Sequence, residues 1–185
     1  MGTSDVHVAL ARVTKRLEEL GIPYAICGGM ALNAHGYQRA TTDVDVLITA
    51  EGLAKFKHHS LGRGWFEEIP GSRGVKDEER RVPIYFLVAG GIPGDGTPRG
   101  VTFPDPAAVA IEIQGAQYVS LAKLTEMKIA SGLSAPHRLL DFNDAMQLIR
   151  INRLGEHFGD QLHPYVRDKY LELWRYAQIR DPHDE

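Results

Sequence analysis

Residues 27–48 read CGGMALNAHGYQRATTDVDVLI. A cysteine and two glycines lead into a short alanine-rich stretch, and the segment closes on Asp43-Val44-Asp45-Val46-Leu47-Ile48. That closing run, rich in β-branched residues, reads as a strand over 43–49. Side chains at i and i+2 of a strand share a face, about 6.5–7 Å apart along it. Asp43 and Asp45 therefore share one face, with Val44, Val46 and Ile48 on the other. Two carboxylates at that separation repel by about 2–3 kcal/mol at an effective dielectric near 20. Exposure, a basic partner or a divalent cation between them removes that cost. Magnesium suits the third solution, because it takes hard oxygen ligands and keeps waters or substrate phosphates in its remaining positions.

Asp-x-Asp alone is a short motif that recurs by chance, commonly as a solvated strand end. The residues before it sharpen the reading. Pro23 to Cys27 (PYAIC) is a short strand pattern that runs into Gly28 and Gly29, and Met30 to His35 begins a helix. Glycine lets a phosphate approach the backbone, and a helix start offers free N–H groups and a positive dipole end. Gly29 and Asp43 are 14 residues apart. A backbone cradle for an anion so close to a cation-binding acid pair points to a metal–nucleoside triphosphate site.

Working outward, Val6, Leu10, Val13, Leu17 and Leu20 recur at helical spacing, with Ser4 and Asp5 as caps and Gly21 as a stop. A third helix is expected over 51–59, and a strand over 66–69. Gly71 to Arg81 is rich in glycine and charge and reads as a mobile loop. Ile84 to Ala89 (IYFLVA) is a buried-strand pattern, and 108–113 and 117–120 are two further short strands. From Leu121 the pattern turns helical, over 121–131, 138–150 and 165–179. The expected fold class is α/β (α+β): a mixed sheet flanked by helices over 1–120, then a helical part over 121–185 packed on it.

The whole chain has 185 residues, 43% hydrophobic and 24% charged, the profile of an ordinary globule. A formal charge of −3 argues against bulk coating of nucleic acid. Cys27 is the one cysteine, which leaves no intrachain disulfide. The opening residues lack the basic segment and long apolar core of a signal peptide, and no apolar run nears the roughly 20 residues a membrane span needs. A cytoplasmic protein with no membrane partner is expected, and the sequence allows an oligomer.

These blocks together resemble the nucleotidyltransferase superfamily with the DNA polymerase β-type fold, above all its small bacterial minimal and abortive-infection toxin-type members. The family pattern is an apolar residue, Gly-Gly or Gly-Ser, roughly ten residues, then Asp-x-Asp or Asp-x-Glu. Cys27-Gly28-Gly29 and Asp43-Val44-Asp45 match it, with Arg39 and Thr42 just before the acids. A second block is similar to the toxin-type relatives: Lys128, then Arg138-Leu-Leu-Asp141-Phe-Asn-Asp144. The resemblance spans 22–150 and implies roles. Gly28 and Gly29 would hold the β- and γ-phosphates, with Arg39, Thr42 and Arg138 at the nucleotide. Asp43 and Asp45 would bind Mg2+ (or Mn2+), and Lys128 would reach the phosphates as a point charge. Asp141 or Asp144 would orient the basic groups or help deprotonate an acceptor hydroxyl. The implied reaction transfers a nucleoside monophosphate from a triphosphate to a hydroxyl on RNA, protein or a small molecule.

One position departs from the family. A third carboxylate is usual on a later strand, and aligning on Leu87 and Val88 puts Tyr85 in its place. A phenol, which titrates near 10, is a poor magnesium ligand at neutral pH. Glu112 in AVAIEIQG is the nearest alternative acid on a strand. Tyr85 favours one rival, a nucleotide-binding pseudoenzyme; another is a toxin–antitoxin-type or scaffold role, with the terminal helices as the partner surface.

Other signals read as structure. GGIPGDGTPRG, residues 90–100, lacks the Gly-Lys-Ser/Thr ending of a phosphate loop. His58 and His59 are adjacent and point apart. His35 reads as a helix-terminal residue, and Cys27 as a small buried one. Arg73, Lys76, Arg80 and Arg81 alternate with acids as a solvated face does, though a basic loop there could also meet a polyanionic acceptor.

Overall fold

The computed structural model describes residues 4–94 and 100–179. The first helix, α1 (Asp5–Glu19), buries Val6, Leu10, Val13 and Leu17 along one stripe. It ends where Gly21, at φ 60°, turns the chain through the left-handed region. Next comes β1 (Tyr24–Cys27), apolar throughout and buried on both faces. Gly28 and Gly29 are already the first residues of α2 (Gly28–Ala34), not a linker before it. β2 (Val44–Ile48) follows, with Asp43 one residue before its first rung. α3 (Ala50–Ser60) starts on Thr49, whose hydroxyl accepts from the Gly52 N–H.

The expected strand over 66–69 shrinks to β3 (Trp65–Phe66), and Ile69 stands 70% exposed. The loop expected over 71–81 instead contains β4 (Gly74–Asp77), paired antiparallel with both β3 and the following strand, β5 (Pro83–Val88). Val75 and Asp77 alternate inward at the strand period, and buried Asp77 takes the Arg12 guanidinium at 2.7 Å. That charge pairing hides the strand in the sequence, because a buried acid with a distant partner looks like a solvated one. Residues 95–99 of the 90–100 turn lie outside the described residues. Ala108 and Val109 form a helical turn, α4 (Pro106–Val109), before β6 (Ala110–Ile113) and β7 (Ala116–Val119).

The seven strands form one mixed sheet in the order β3-β4-β5-β2-β1-β7-β6. β1 lies antiparallel to β2 and parallel to β7, while β2 lies parallel to β5. Three helices close the chain: α5 (Leu121–Ser134), α6 (Leu139–Ile151) and α7 (Pro164–Ala177), with a 3-10 turn over Glu156–Gln161. They share a cluster around Ile129, Ile149, Val166 and Tyr170. Leu124 and Met127 of α5 and Leu148 of α6 belong instead to the sheet's own apolar core. No helix among the described residues is long and apolar enough to cross a membrane.

Candidate active site

Parallel and antiparallel registers bring the motif together in the middle of the sheet. Asp45 lies opposite Cys27 on β1 and opposite Tyr85 on β5. Gly28, at φ 60°, turns the chain over the Asp45 carboxylate; a Cβ there would stand 1.8 Å from Asp45 Oδ2. No side chain but hydrogen fits that approach, and φ 60° also favours glycine. A Cβ on Gly29 would stand 2.7 Å from Thr41 Oγ1. The Thr41 hydroxyl in turn donates to Asp43 Oδ1 at 2.8 Å. Thr42, which the sequence placed at the nucleotide, is exposed and does not line this cleft, whereas Thr41 lines its polar lobe. Thr41 to Asp43 lie at the bend before β2, and it is the Thr41–Asp43 hydrogen bond that separates the two threonines.

Across the cleft, α5 and α6 supply a lattice of alternating charges. Lys128 Nζ sits 2.9 Å from Asp141 Oδ1 and 2.8 Å from Asp144 Oδ2. Arg39, from the loop after α2, reaches Asp144 Oδ2 at 2.6 Å. Arg138 pairs with Asp141 Oδ2 at 2.9 Å, and the Ser131 hydroxyl donates to the same oxygen at 2.9 Å. Ser131 escaped the sequence reading although it lies one helical turn beyond Lys128, on the same face. Lys128 is largely but not fully buried, which works against its charge, but Asp141 and Asp144 outweigh burial and hold its pKa up. Burial likewise works against the Asp141 carboxylate, while Lys128, Ser131 and Arg138 together hold its pKa down. Asp141 is therefore an ionised anchor for cations. Asp144 Oδ1, fully buried, has no hydrogen-bond partner among the described residues.

Asp45 is the opposite case. No side chain or N–H among the described residues donates to its carboxylate. Burial first, then the Asp43 charge, push its pKa up to about 6, against the pull of Lys128. Burial and Asp45 also raise the Cys27 thiol well above its ordinary range, which leaves it unreactive.

The cleft has two lobes that meet at Asp45, Lys128 and Arg138. The polar lobe, about 310 Å³, is walled by Gly28, Gly29, Arg39, Asp43 and His137. The larger lobe, about 590 Å³, is lined by apolar side chains, among them Leu87, Phe103, Leu124 and Met127, with Tyr85 at its edge. Every expected site residue except Thr42 lines the cleft or is tied to a residue that does. Glu112 is exposed on β6, three strands from β2 and so about 14 Å across the sheet, too far to join the acid pair. His35 bonds the Val119 carbonyl at 2.8 Å and stays outside the cleft.

The sequence matches no known family profile and no curated protein. Solved structures do match. The crystal structure of the aminoglycoside nucleotidyltransferase ANT(2")-Ia in complex with adenylyl-2"-tobramycin superposes at TM-score 0.57 and 14% identity. The superposition covers 94% of this chain and 99% of that one. The solution structure of antibiotic-resistance factor ANT(2'')-Ia matches at TM-score 0.52 and 16% identity, over 90% and 94% of the two chains. This chain has a nucleotidyltransferase fold. Within that fold, the Asp45–Tyr85 register places a phenol on the strand from which the superfamily resemblance expects a third carboxylate. Among the described residues no group of three or more His, Cys, Asp or Glu stands ready to hold a metal.

Proposed function

We propose that the chain binds a divalent cation and a nucleoside triphosphate in this cleft and transfers the nucleoside monophosphate to a hydroxyl. The observation that carries the reading is the partnerless Asp45 carboxylate beneath Gly28, where any Cβ would collide with it. The donor set fits a hard cation: two carboxylates that repel one another, one of them half-buried and without a protein hydrogen bond, next to open cleft volume. Asp43 and Asp45 would hold Mg2+, which supplies charge neutralisation for the phosphates and the departing pyrophosphate. Gly28 and Gly29 leave backbone bare for the phosphates to approach. Arg39, Lys128 and Arg138 line the polar lobe as preorganised positive charge, fixed in place by Asp141 and Asp144 before any ligand arrives. Charge held ready in this way needs no reorganisation during the reaction, which is the largest usual source of catalysis.

Asp43→Asn combined with Asp45→Asn should abolish Mg-dependent triphosphate binding by calorimetry while the protein still melts cooperatively, as a folded chain does. A double variant that binds Mg–ATP like the parent would move the site elsewhere. A second reading, a nucleotide-binding protein without chemistry, is favoured by Tyr85 beside Asp45. Pyrophosphate release separates the two: the transferase releases it and the binding module does not.

A further inference from the structure

We propose that Tyr85 is itself an acceptor of this site, so that the chain transfers a nucleoside monophosphate onto its own Tyr85 phenol. The inference rests on the transferase reading above and names its acceptor.

Three hydroxyls line the two lobes among the described residues: Thr41, Ser131 and Tyr85. Thr41 donates to Asp43 and Ser131 donates to Asp141, so both are engaged. Tyr85 has no hydrogen-bond partner among the described residues, and the residue is 48% exposed. It is also the direct register neighbour of Asp45 on the parallel strand. Neighbouring strands run about 4.8 Å apart, and residues in register project from the same face. Tyr85 is thus the one cleft hydroxyl among the described residues that stands in register with Asp45 and is not already engaged.

The ring has room to move. It leans over Gly74 on β4, where a Cβ would come within 3.2 Å of its Cδ1. The same ring also edges the large lobe beside Asp45. Two χ1 wells are common in strands, so the transfer calls for the rotamer that turns the phenol from Gly74 toward Asp45.

Magnitudes favour this acceptor. Losing one positioned base costs about 10²–10⁴ in rate. A nucleophile built into the site gains an effective concentration of up to about 10⁵–10⁸ M when well oriented. A phenol also releases its proton more readily than an aliphatic hydroxyl. In the reaction the phenol oxygen forms a bond to the α-phosphorus, and the bond from that phosphorus to the α,β-bridging oxygen breaks. Pyrophosphate leaves and the phenol proton passes to water. No redox partner or second co-substrate is required.

The test uses the purified full chain alone, with each of the four nucleoside triphosphates and Mg2+ or Mn2+. Intact-mass spectrometry should show one nucleoside monophosphate added per chain, and peptide mapping should place it on Tyr85. The half-time should not change when the protein is diluted, as an intramolecular transfer requires. Tyr85→Phe should lose the adduct yet keep Mg-dependent triphosphate binding, and Tyr176→Phe, at an exposed tyrosine on α7, should keep both. An adduct that survives in Tyr85→Phe, or a half-time that lengthens on dilution, overturns the proposal. Binding through Asp43 and Asp45 with no adduct also overturns it and leaves the site reading standing. Absence of Mg-dependent binding in the parent removes both.

Discussion

Burial and the neighbouring Asp43 hold the Asp45 carboxyl near pH 6 instead of its ordinary 3.8. A carboxyl displaced that far is costlier to ionise in the folded chain, by up to about 3 kcal/mol. The sign follows from proton uptake. Between about pH 4 and pH 6 the folded state binds more protons at this residue than the unfolded state, so stability falls as pH rises through that window. Above it the full cost is present, and below it none is. Asp45→Asn should therefore raise the melting temperature of the metal-free protein at about pH 8, in chelator, and leave it unchanged near pH 4. An excess of Mg2+ should shrink the difference at high pH by stabilising the parent alone. A parent as stable as Asp45→Asn at about pH 8 in chelator would mean that the carboxylate already has a partner.

Lys128 shows what an element adds to a residue. It ties α5 to two acids on α6, and Arg39 ties the loop after α2 to the same Asp144. Removing one partner of a buried ionic group typically costs about 3–5 kcal/mol, since it strands the other charge. Lys128→Met should lose that much in urea unfolding, while Arg80→Met, at exposed ion pairs with Asp5 and Glu79, should lose less than about 1 kcal/mol. Equal losses would show the lattice to be a surface feature. The elements also mark how far the sequence could be read. The β1–α2–β2 unit was legible because apolar alternation, two glycines and two acids fall within a few tens of residues. The Lys128–Asp141–Asp144 grouping was legible only through the resemblance to toxin-type relatives, since the sequence alone does not show that α5 and α6 face each other. β4 was not legible, because its partners β3 and β5 and the Arg12 that neutralises Asp77 are fixed by tertiary contact. Thr41 was missed for a local reason: a bend just before β2, not the strand, turns it to Asp43 and leaves Thr42 exposed.

At the scale of the whole molecule, the sequence changes character near residue 120, from mixed strands and helices to helices alone. Packing does not stop there. Leu124, Met127 and Leu148 belong to the apolar core of the sheet, while Ile129, Ile149 and Tyr170 form the helices' own cluster. Polar ties cross the same boundary: Arg39 to Asp144 at 2.6 Å, and Asn152 to the His35 carbonyl at 3.1 Å. A chain of this size, with α5 shared between two clusters, should unfold in one cooperative step. Two tryptophans test this. Trp65 is buried in the sheet's core against Phe56, and Trp174 packs on the helical cluster and donates to the Leu154 carbonyl. Trp174→Phe leaves a reporter in the sheet alone, and Trp65→Phe leaves one in the helices alone. In each variant the fluorescence midpoint in urea should coincide with the midpoint by far-ultraviolet circular dichroism, whatever stability the substitution itself removes. A helical reporter that melts before the circular dichroism signal would divide the molecule at α5. The cations that α5 and α6 bring to the cleft would then be in place only part of the time.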